Sequence, residues 1–248
     1  MPPRRPSVGG RLTAIASTDQ PPWSDIAAWY DDLLVAGSGP HATALECLGR
    51  LVPDVRELDV VDVACGQGLA ARLLADRGAR VVAVDSSAAM IAHARQHGSP
   101  GETPIEYVVD DAEALTQLDD ARFDGATCQL GLMDIANLDG ARRAIARVLR
   151  PAGWLAFVIA HPCFLAPDAQ FADGPDGRPA VTVTDYFHER FWRSTKPQGV
   201  RRAGNHHRML STYLNALTTA GFATQLPLYA AVPIFFAARA AARHVVGT

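Results

Sequence analysis

The chain has 248 residues, enough for one large α/β domain, and an apolar fraction of 48% supplies material for a full core. A formal net charge of −3 excludes the bulk electrostatic attraction by which basic proteins bind nucleic acid or anionic membranes. No apolar run is long enough for a membrane helix, and four widely spaced cysteines without a C-x-x-C pair are typical of reduced thiols in a cytoplasmic protein.

The N-terminal part divides into two regions. Residues 1–22 are rich in Pro, Arg, Gly, Ser and Thr and lack periodicity, which predicts a flexible segment. Their arginines are not followed by an apolar run, so no secretory signal is expected. From residue 23 to about residue 52, apolar residues recur at helical spacing on either side of a Gly-Ser-Gly-Pro break, which predicts two cap helices. Residues 23–248 are predicted to form one domain.

After Pro53 the pattern becomes a regular alternation of strands and helices. Nearly all-apolar strands separated by amphipathic helices indicate a parallel sheet covered on both faces. The predicted strands are Leu58–Ala64, Arg80–Asp85, Ile105–Val109, Phe123–Leu130 and Trp154–Ala160. The predicted helices are Gln67–Arg77, Ser87–His97 and Leu138–Leu149.

Residues 162–208 interrupt this alternation. The segment combines glycines and prolines with several aromatic residues, and a long irregular stretch in a compact domain is either a functional lid or a region of missed elements; we favour a lid. A helix at Met209–Ala220 follows. Two strand-like runs, Ala223–Leu228 and Ile234–Ala238, are joined by few residues and should pair as an antiparallel hairpin.

The most informative segment is a strand, a glycine-rich turn and a helix around residues 60–71. Glycine there lets the backbone approach a ligand closely, and in a parallel sheet such a turn lies at the carboxyl edge. Gly66-x-Gly68-x-x-Ala71 with Asp85 further on also matches a dinucleotide fingerprint. Asp62 argues against that alternative, because its carboxylate would repel a pyrophosphate but can accept from the ammonium of an amino-acid ligand.

At this turn the sequence resembles motif I of the class I S-adenosylmethionine-dependent methyltransferases. Ala64 stands where the family more often has glycine. Four further runs resemble later motifs of the family in the correct order. All five are Asp62-x-Ala64-Cys65-Gly66-x-Gly68, Val84-Asp85-Ser86-Ser87, Asp110-Asp111-Ala112-Glu113-Ala114-Leu115, Phe123-Asp124-Gly125-Ala126 with Cys128-Gln129-Leu130-Gly131, and Leu149-Arg150-Pro151-Ala152-Gly153-Trp154. The resemblance covers about residues 23–238.

The resemblance implies a Rossmann-like fold, with a seven-stranded, mostly parallel sheet, an antiparallel last strand and helices on both faces. It implies S-adenosylmethionine as cofactor, small-molecule methylation, and roles for individual residues. Asp62 and Gly66 would flank the methionine portion, Asp85 beside Ser86 would bind the ribose, and Met90 would pack on the adenine. Asp111 would accept from the adenine amino group, Ala112 would donate its amide to the ring, the Gln129 backbone would meet the ammonium, and Tyr30 would close over the cofactor; His41 is a further candidate.

Each of these residues has a simpler structural interpretation. Asp62 or Asp85 could cap a helix, Asp110 and Asp111 could belong to a solvated turn, and Met90 and Tyr30 could be helix-face packing.

Three histidines are the candidates for acid–base catalysis. His161 ends the fifth strand at the ligand-binding edge of the sheet and could take a proton near neutral pH. His206 and His207 stand in Asn205-His206-His207-Arg208-Met209-Leu210-Ser211, which resembles a His-Arg-x-Leu-Ser segment that enters the helix after the lid in small-molecule methyltransferases. The alternative for all three is capping or lid docking. Arg201 and Arg202 could clamp an anionic substrate group or lie in a solvated loop.

The aromatic residues of the lid predict a small apolar or aromatic acceptor, and the resemblance to the family implies one of secondary-metabolite or quinone-like type. No metal is predicted, since no His, Cys and carboxylate cluster has ligand spacing. The absence of an Asn/Asp-Pro-Pro-Tyr tetrad and of a basic stripe predicts no nucleic-acid substrate. A non-catalytic protein that binds the cofactor and a nicotinamide-dependent oxidoreductase are the alternatives, and the oligomeric state is open.

Overall fold

The structure is a computed structural model, and it describes residues 23–100, 104–167, 169–174, 176–194, 199–225 and 235–242. The predicted flexible segment 1–22 lies outside the described residues, as do 243–248 and the ends of the two last predicted strands that fall within 226–234.

Seven strands form one sheet in the order β10-β11-β5-β4-β1-β2-β3. Strands β1 to β5 are mutually parallel, and β11 is antiparallel to both β5 and β10, so the predicted fold class and the terminal hairpin are confirmed. The strands are β1 Asp59–Val63, β2 Arg80–Asp85, β3 Glu106–Val109, β4 Phe123–Gln129, β5 Leu149–Ala160, β10 Phe222–Gln225 and β11 Phe235–Ala242.

Helices cover both faces of this sheet. Alternate residues of β1 and β2 belong to two separate buried clusters: Val61 and Val82 pack towards α5 and α6, whereas Val60 and Val81 pack towards α2 and α3. This alternation follows from the two-residue period of a strand. The helices are α1 Trp23–Val35, α2 Gly39–Leu51, α3 Leu69–Asp76, α4 Ala88–Gln96, α5 Leu138–Val148 and α6 Leu210–Thr219. Within the described ranges, no helix has the length and apolar character needed to cross a bilayer.

Strand β5 begins five residues earlier than predicted. Leu149 already pairs with Phe123 of β4, before an irregularity in the register. Arg150 stabilises this early start, because its guanidinium forms ion pairs with Asp59 at 3.0 Å and Asp124 at 2.6 Å, at the starts of β1 and β4. The Leu-Arg-Pro run therefore already belongs to the sheet.

Residues 162–208 contain more regular structure than predicted. Two small antiparallel pairs occur there, β6 (Gln170–Asp173) with β7 (Pro179–Thr182) and β8 (Arg190–Trp192) with β9 (Asn205–His207). A 3₁₀ turn lies at Val200–Ala203. These strands have only three or four residues, too few for their alternation to be recognised in the sequence. His206 and His207 lie in β9, ahead of α6.

Gly125 in the centre of β4 tests the packing of the sheet. It faces Trp154 of β5, and a Cβ added at this glycine would lie 2.1 Å from the indole. We expect Gly125→Ala to lower the free energy of unfolding by about 1–3 kcal/mol through overpacking, measured by urea denaturation. In a Trp154→Leu background the same substitution should cost much less; an equal loss in both backgrounds would contradict this account.

Candidate functional site

A cavity of about 300 Å³ opens at the carboxyl ends of β1 to β4 and is covered by α1 and α2. The strand order reverses between β1 and β4, and connections leaving such neighbours in opposite directions create a crevice. Ten of the eleven residues that the sequence predicted as cofactor ligands line it, namely Tyr30, Asp62, Ala64, Gly66, Asp85, Ser86, Met90, Asp111, Ala112 and Gln129. The exception, Gly68, precedes α3 and packs against the Tyr107 ring.

The turn after β1 has an unusual backbone. Ala64, Gly66 and Gly68 have φ values of +54°, +54° and +80°. A Cβ added at Gly66 would meet no atom within 4 Å, so the backbone is open to a ligand there. Ala64 holds the left-handed conformation at a cost of roughly 1–2 kcal/mol, which explains why glycine is the more usual residue. Leu130, which follows β4 on the same cavity wall, has φ +56°. Two of the seven described non-glycine residues with positive φ, Ala64 and Leu130, thus line the cavity.

Asp85, the last residue of β2, joins two turns. Its Oδ2 accepts from the Gly66 amide at 2.8 Å and its Oδ1 from the Ser87 amide at 2.9 Å. Burial raises the pKa of this carboxyl, while the two amides favour its charged form. Each oxygen keeps a further lone pair, so the pair can also accept from two neighbouring hydroxyls. Ser87 is the residue that caps α4, since its hydroxyl accepts from the Met90 amide.

Asp62 lies in β1 and is fully buried. Its Oδ1 accepts from the Thr127 hydroxyl at 2.7 Å, across the β1–β4 register. Its Oδ2 has no hydrogen-bond partner among the described residues. Burial raises the pKa of Asp62 to about 7, and the Thr127 hydroxyl and the Ala71 amide oppose the shift only in part. A buried, unpartnered carboxylate oxygen on a cavity wall fits a ligand with a cationic N–H donor.

The two aspartates after β3 differ in their surroundings. Asp110 is buried and organises the loop: its carboxylate accepts from the amides of Asp111 and Gln117 and from the Thr116 hydroxyl. Asp111 is exposed at the cavity rim, and Ala112 beside it is buried. Asp110 therefore has a structural role, whereas Asp111 and Ala112 line the cavity.

Helices α1 and α2 close the cavity through a chain of hydrogen bonds. The Tyr30 hydroxyl and His41 Nε2 share one at 2.9 Å, and His41 Nδ1 shares another with the Ser38 hydroxyl at 2.6 Å. Gln129 at the end of β4 donates its side-chain amide to the His41 carbonyl. Burial lowers the pKa of His41 to about 4, so its ring is neutral near pH 7. His41 thus lines the cavity, connects α1 to the end of β4 through hydrogen bonds, and is also a candidate ligand.

The three candidate catalytic histidines are not among the cavity-lining residues. His161 packs on Phe164, and its Nδ1 accepts from the Cys163 amide at 3.3 Å. His206 packs on Phe191, and its backbone amide donates to the Met133 carbonyl.

His207 is buried and shares a hydrogen bond with the Tyr186 carbonyl. Burial lowers the pKa of His161, and burial together with Arg208 lowers that of His206 to about 4. These contacts are of the lid-docking kind that was the alternative to catalysis.

Asp134 is a cavity residue that the sequence reasoning missed. It lies in the loop after β4, its side chain is only 15% exposed, and Arg201 of the 3₁₀ turn approaches its Oδ1 at 3.3 Å. Burial raises the pKa of Asp134 to about 7, although Arg201 lowers it. No motif marks this position; its distance of five residues from the end of β4 was the available signal.

Comparisons with known proteins agree with this geometry. Residues 61–157 match the family model described as a methyltransferase domain. A ubiquinone biosynthesis O-methyltransferase of Alkalilimnicola ehrlichii is 36% identical over 112 residues, 45% of this chain and 44% of that protein. One of Xanthomonas oryzae pv. oryzae is 34% identical over 102 residues, 41% and 43% of the two chains. The matches thus cover less than half the length of either relative.

A solved structure extends the similarity to most of the fold. An S-adenosylmethionine-dependent methyltransferase from Mesorhizobium loti superposes with a TM-score of 0.68 at 27% identity, covering 79% of this chain and 96% of that one.

The strained turn yields a testable substitution. We expect Ala64→Gly to raise the free energy of unfolding by up to about 1 kcal/mol, because glycine adopts φ +54° without a Cβ clash. Ala121→Gly, at an exposed residue with φ +50° outside the cavity lining, is the matched control and should stabilise similarly. Chemical denaturation measures both; a loss of stability on Ala64→Gly would contradict the strain argument.

Gly131 provides the complementary test. A Cβ there would lie 2.6 Å from the Ala64 Cβ and 2.9 Å from the Cys128 sulfur. Gly131→Ala should therefore destabilise the wild type more than it destabilises the Ala64→Gly variant, and additive effects would contradict direct contact.

Proposed function

Because the chain belongs to the class I S-adenosylmethionine-dependent methyltransferases, whose cofactor is S-adenosylmethionine, we propose that it transfers a methyl group to a small apolar or aromatic molecule, of quinone-like or secondary-metabolite type. The observation that carries the proposal is the convergence on one cavity of ten residues, from distant parts of the sequence, that were predicted to contact the cofactor. The names of the two relatives, ubiquinone biosynthesis O-methyltransferases, support an oxygen acceptor.

Each part of the cofactor has a matching group on the cavity wall. Asp85 would accept from the ribose hydroxyls, Asp111 and the Ala112 amide would recognise the adenine, and Met90 would pack against it. Asp62 and the open backbone of Gly66 would hold the methionine portion, with its ammonium at the unpartnered Asp62 oxygen. When bound, S-adenosylmethionine supplies an electrophilic methyl group; the protein's task is to align the acceptor and to exclude water.

We propose residues 162–208 as the lid over the acceptor. Two arginines of its 3₁₀ turn contact other elements: Arg201 pairs with the cavity residue Asp134, and the Arg202 guanidinium lies 4.2 Å from the centre of the Trp29 ring of α1. The segment also carries large exposed rings at Phe171 and Phe187. Such rings offer contact area for a flat acceptor.

A non-catalytic cofactor-binding protein is the second candidate. It is favoured by the position of the three candidate histidines outside the cavity lining. A nicotinamide-dependent oxidoreductase is disfavoured, because Asp62 would place a buried carboxylate beside the turn that would hold a pyrophosphate.

We further propose a cytoplasmic location and a substrate other than nucleic acid, in keeping with the net charge of −3.

Calorimetric binding of S-adenosylhomocysteine tests the cofactor assignment. We expect micromolar binding by the wild type and a loss of at least about 100-fold in Asp85→Ala, since hydrogen bonds to a charged group contribute about 1.5–3 kcal/mol each. Asp85→Asn, which keeps one acceptor oxygen, should lose less, and Asp76→Ala at the exposed end of α3 should bind normally. Circular dichroism checks folding, because Asp85 also orders two turns. A folded wild type that binds NADH and no S-adenosylhomocysteine would overturn the proposal.

The pH dependence of that affinity tests the role of Asp62. Below its pKa of about 7 the carboxyl is largely protonated and must ionise to pair with the ammonium. From pH 6 to pH 8 its ionised fraction rises from about a tenth to about nine tenths, so the affinity should rise about tenfold. Asp62→Asn should bind weakly and show no rise. Asp134→Asn is the control, with a carboxyl of similar pKa removed from the same cavity, and should retain the rise.

A further inference from the structure

We infer that the Asp134 carboxylate is the general base of the proposed transfer, and that the acceptor is a hydroxyl compound methylated on oxygen. The inference rests on the proposed function and deepens it, by naming the group that receives the acceptor's proton and the class of acceptor that needs such a group.

Among the proton-accepting groups that line the cavity, Asp134 is the one suited to the acceptor side. Both ring nitrogens of His41 already share hydrogen bonds, and Asp85 accepts two backbone amides. Asp62 is the proposed partner of the cofactor's ammonium and so belongs to the cofactor side of the cavity. Asp111 and Glu113 lie on the proposed adenine side and accept from the backbone amides of Glu113 and Asn137, respectively.

The geometry of Asp134 leaves one oxygen for a substrate. Its Oδ1 is approached by Arg201 at 3.3 Å, and no described residue donates to its Oδ2. The side chain retains 15% exposure on a wall shared with the ligand-holding residues. Its partner Arg201 belongs to the proposed lid, so Asp134 stands where the cofactor cavity meets the segment that would cover the acceptor.

The loop that carries Asp134 is held rigidly. The Asp134 amide donates to the Gly131 carbonyl at 2.8 Å, forming a turn. Arg208, buried just before α6, donates to the carbonyls of Leu132, Ile135 and Ala136 at 2.7–3.3 Å. Asp134 is thereby positioned by bonds on both sides, and a base must be held within hydrogen-bonding reach of its proton.

The electrostatic surroundings suit proton uptake near neutrality. Burial raises the pKa of Asp134 to about 7, and Asp85 adds to the rise while Arg201 and Arg208 oppose it. A base with a pKa near the working pH is the most effective. The ionisable groups that interact with it from other elements are Arg201, Arg208, Asp85, Tyr30, Tyr213 and Cys128.

With Asp134 as the base, the bonds, the electron pair and the proton of the methyl transfer are all accounted for. The hydroxyl oxygen forms a bond to the methyl carbon, the carbon–sulfur bond breaks with its electron pair remaining on sulfur, and Asp134 takes the hydroxyl proton. An aromatic amine such as aniline is unprotonated near neutral pH and attacks through a free lone pair, whereas a phenolic hydroxyl, with a pKa of about 10, becomes a strong nucleophile only as its proton leaves. A carboxylate base therefore favours the hydroxyl.

A titration that needs no acceptor is the first test. Aspartate labelled with carbon-13 at the side-chain carboxyl is followed by NMR in the full chain saturated with S-adenosylhomocysteine, and Asp134→Asn identifies the resonance. We expect a midpoint near 7 that rises in Arg201→Gln, which removes the opposing cation. Arg202→Gln, altered at the neighbouring arginine over Trp29, should leave the midpoint unchanged. A midpoint near 4 in the complex would overturn the inference.

Transfer assays with phenol, catechol and 1-naphthol, and with aniline and benzylamine as amines, form the second test. For a methylated phenol, Asp134→Asn should lower kcat by about 10²–10⁴-fold while the affinity for S-adenosylhomocysteine changes less than about twofold. An unchanged kcat, methylation of amines alone, or an affinity loss as large as that of Asp85→Ala would each overturn the inference. If none of these compounds is methylated, the NMR titration of Asp134 alone tests the inference. A wild type that does not bind S-adenosylhomocysteine instead refutes the proposed function itself.

Discussion

The geometry of the cavity depends above all on the Asp85 carboxylate, because its two oxygens accept the amides of Gly66 and Ser87 and so join the turns after β1 and β2. Each of these amides begins a turn that leads into a helix, where backbone donors lack internal partners. One partly buried anion thus satisfies two such donors and brings two loops, far apart in sequence, to one ligand surface. Burial raises the pKa of this carboxyl, and the same two donors offset that cost in part.

The loop after β4 is ordered by a cation, whereas the turns after β1 and β2 are joined by an anion. Arg208 is a buried cation whose guanidinium serves three main-chain carbonyls. It comes more than seventy residues after that loop, at the end of residues 162–208, so the proposed lid and the cavity wall are parts of one hydrogen-bonded unit. In the His-Arg-x-Leu-Ser run, the arginine therefore has the clearest structural role. His207 beside it ties the Tyr186 segment to β9.

The parts of the structure that depend on local patterns could be predicted from the sequence. The alternation of apolar strands and amphipathic helices determined the sheet, and strict spacing around Gly66 and Asp85 located the cavity, since glycine and carboxylate have few other roles at strand ends. The sequence did not predict the features of the structure that depend on contacts between residues far apart in the chain. Nothing near His206 indicates that its ring packs on Phe191, and nothing near Asp134 indicates that Arg201 lies beside it. The short strands β6 to β9 were missed for the same reason, since their pairing extends over only three or four residues.

The charge of the cavity wall has a consequence for what happens after transfer. Five acidic side chains line the cavity, Asp62, Asp85, Asp111, Glu113 and Asp134, and no lysine or arginine is among the described lining residues. Such a wall attracts a positively charged ligand more strongly than a neutral one of the same shape. A methyl donor of the sulfonium type loses one positive charge when it gives up its methyl group, while its shape hardly changes. The acidic wall therefore binds the positively charged sulfonium donor more tightly than the neutral thioether product. This difference in affinity reduces product inhibition without any contact to the methyl group itself.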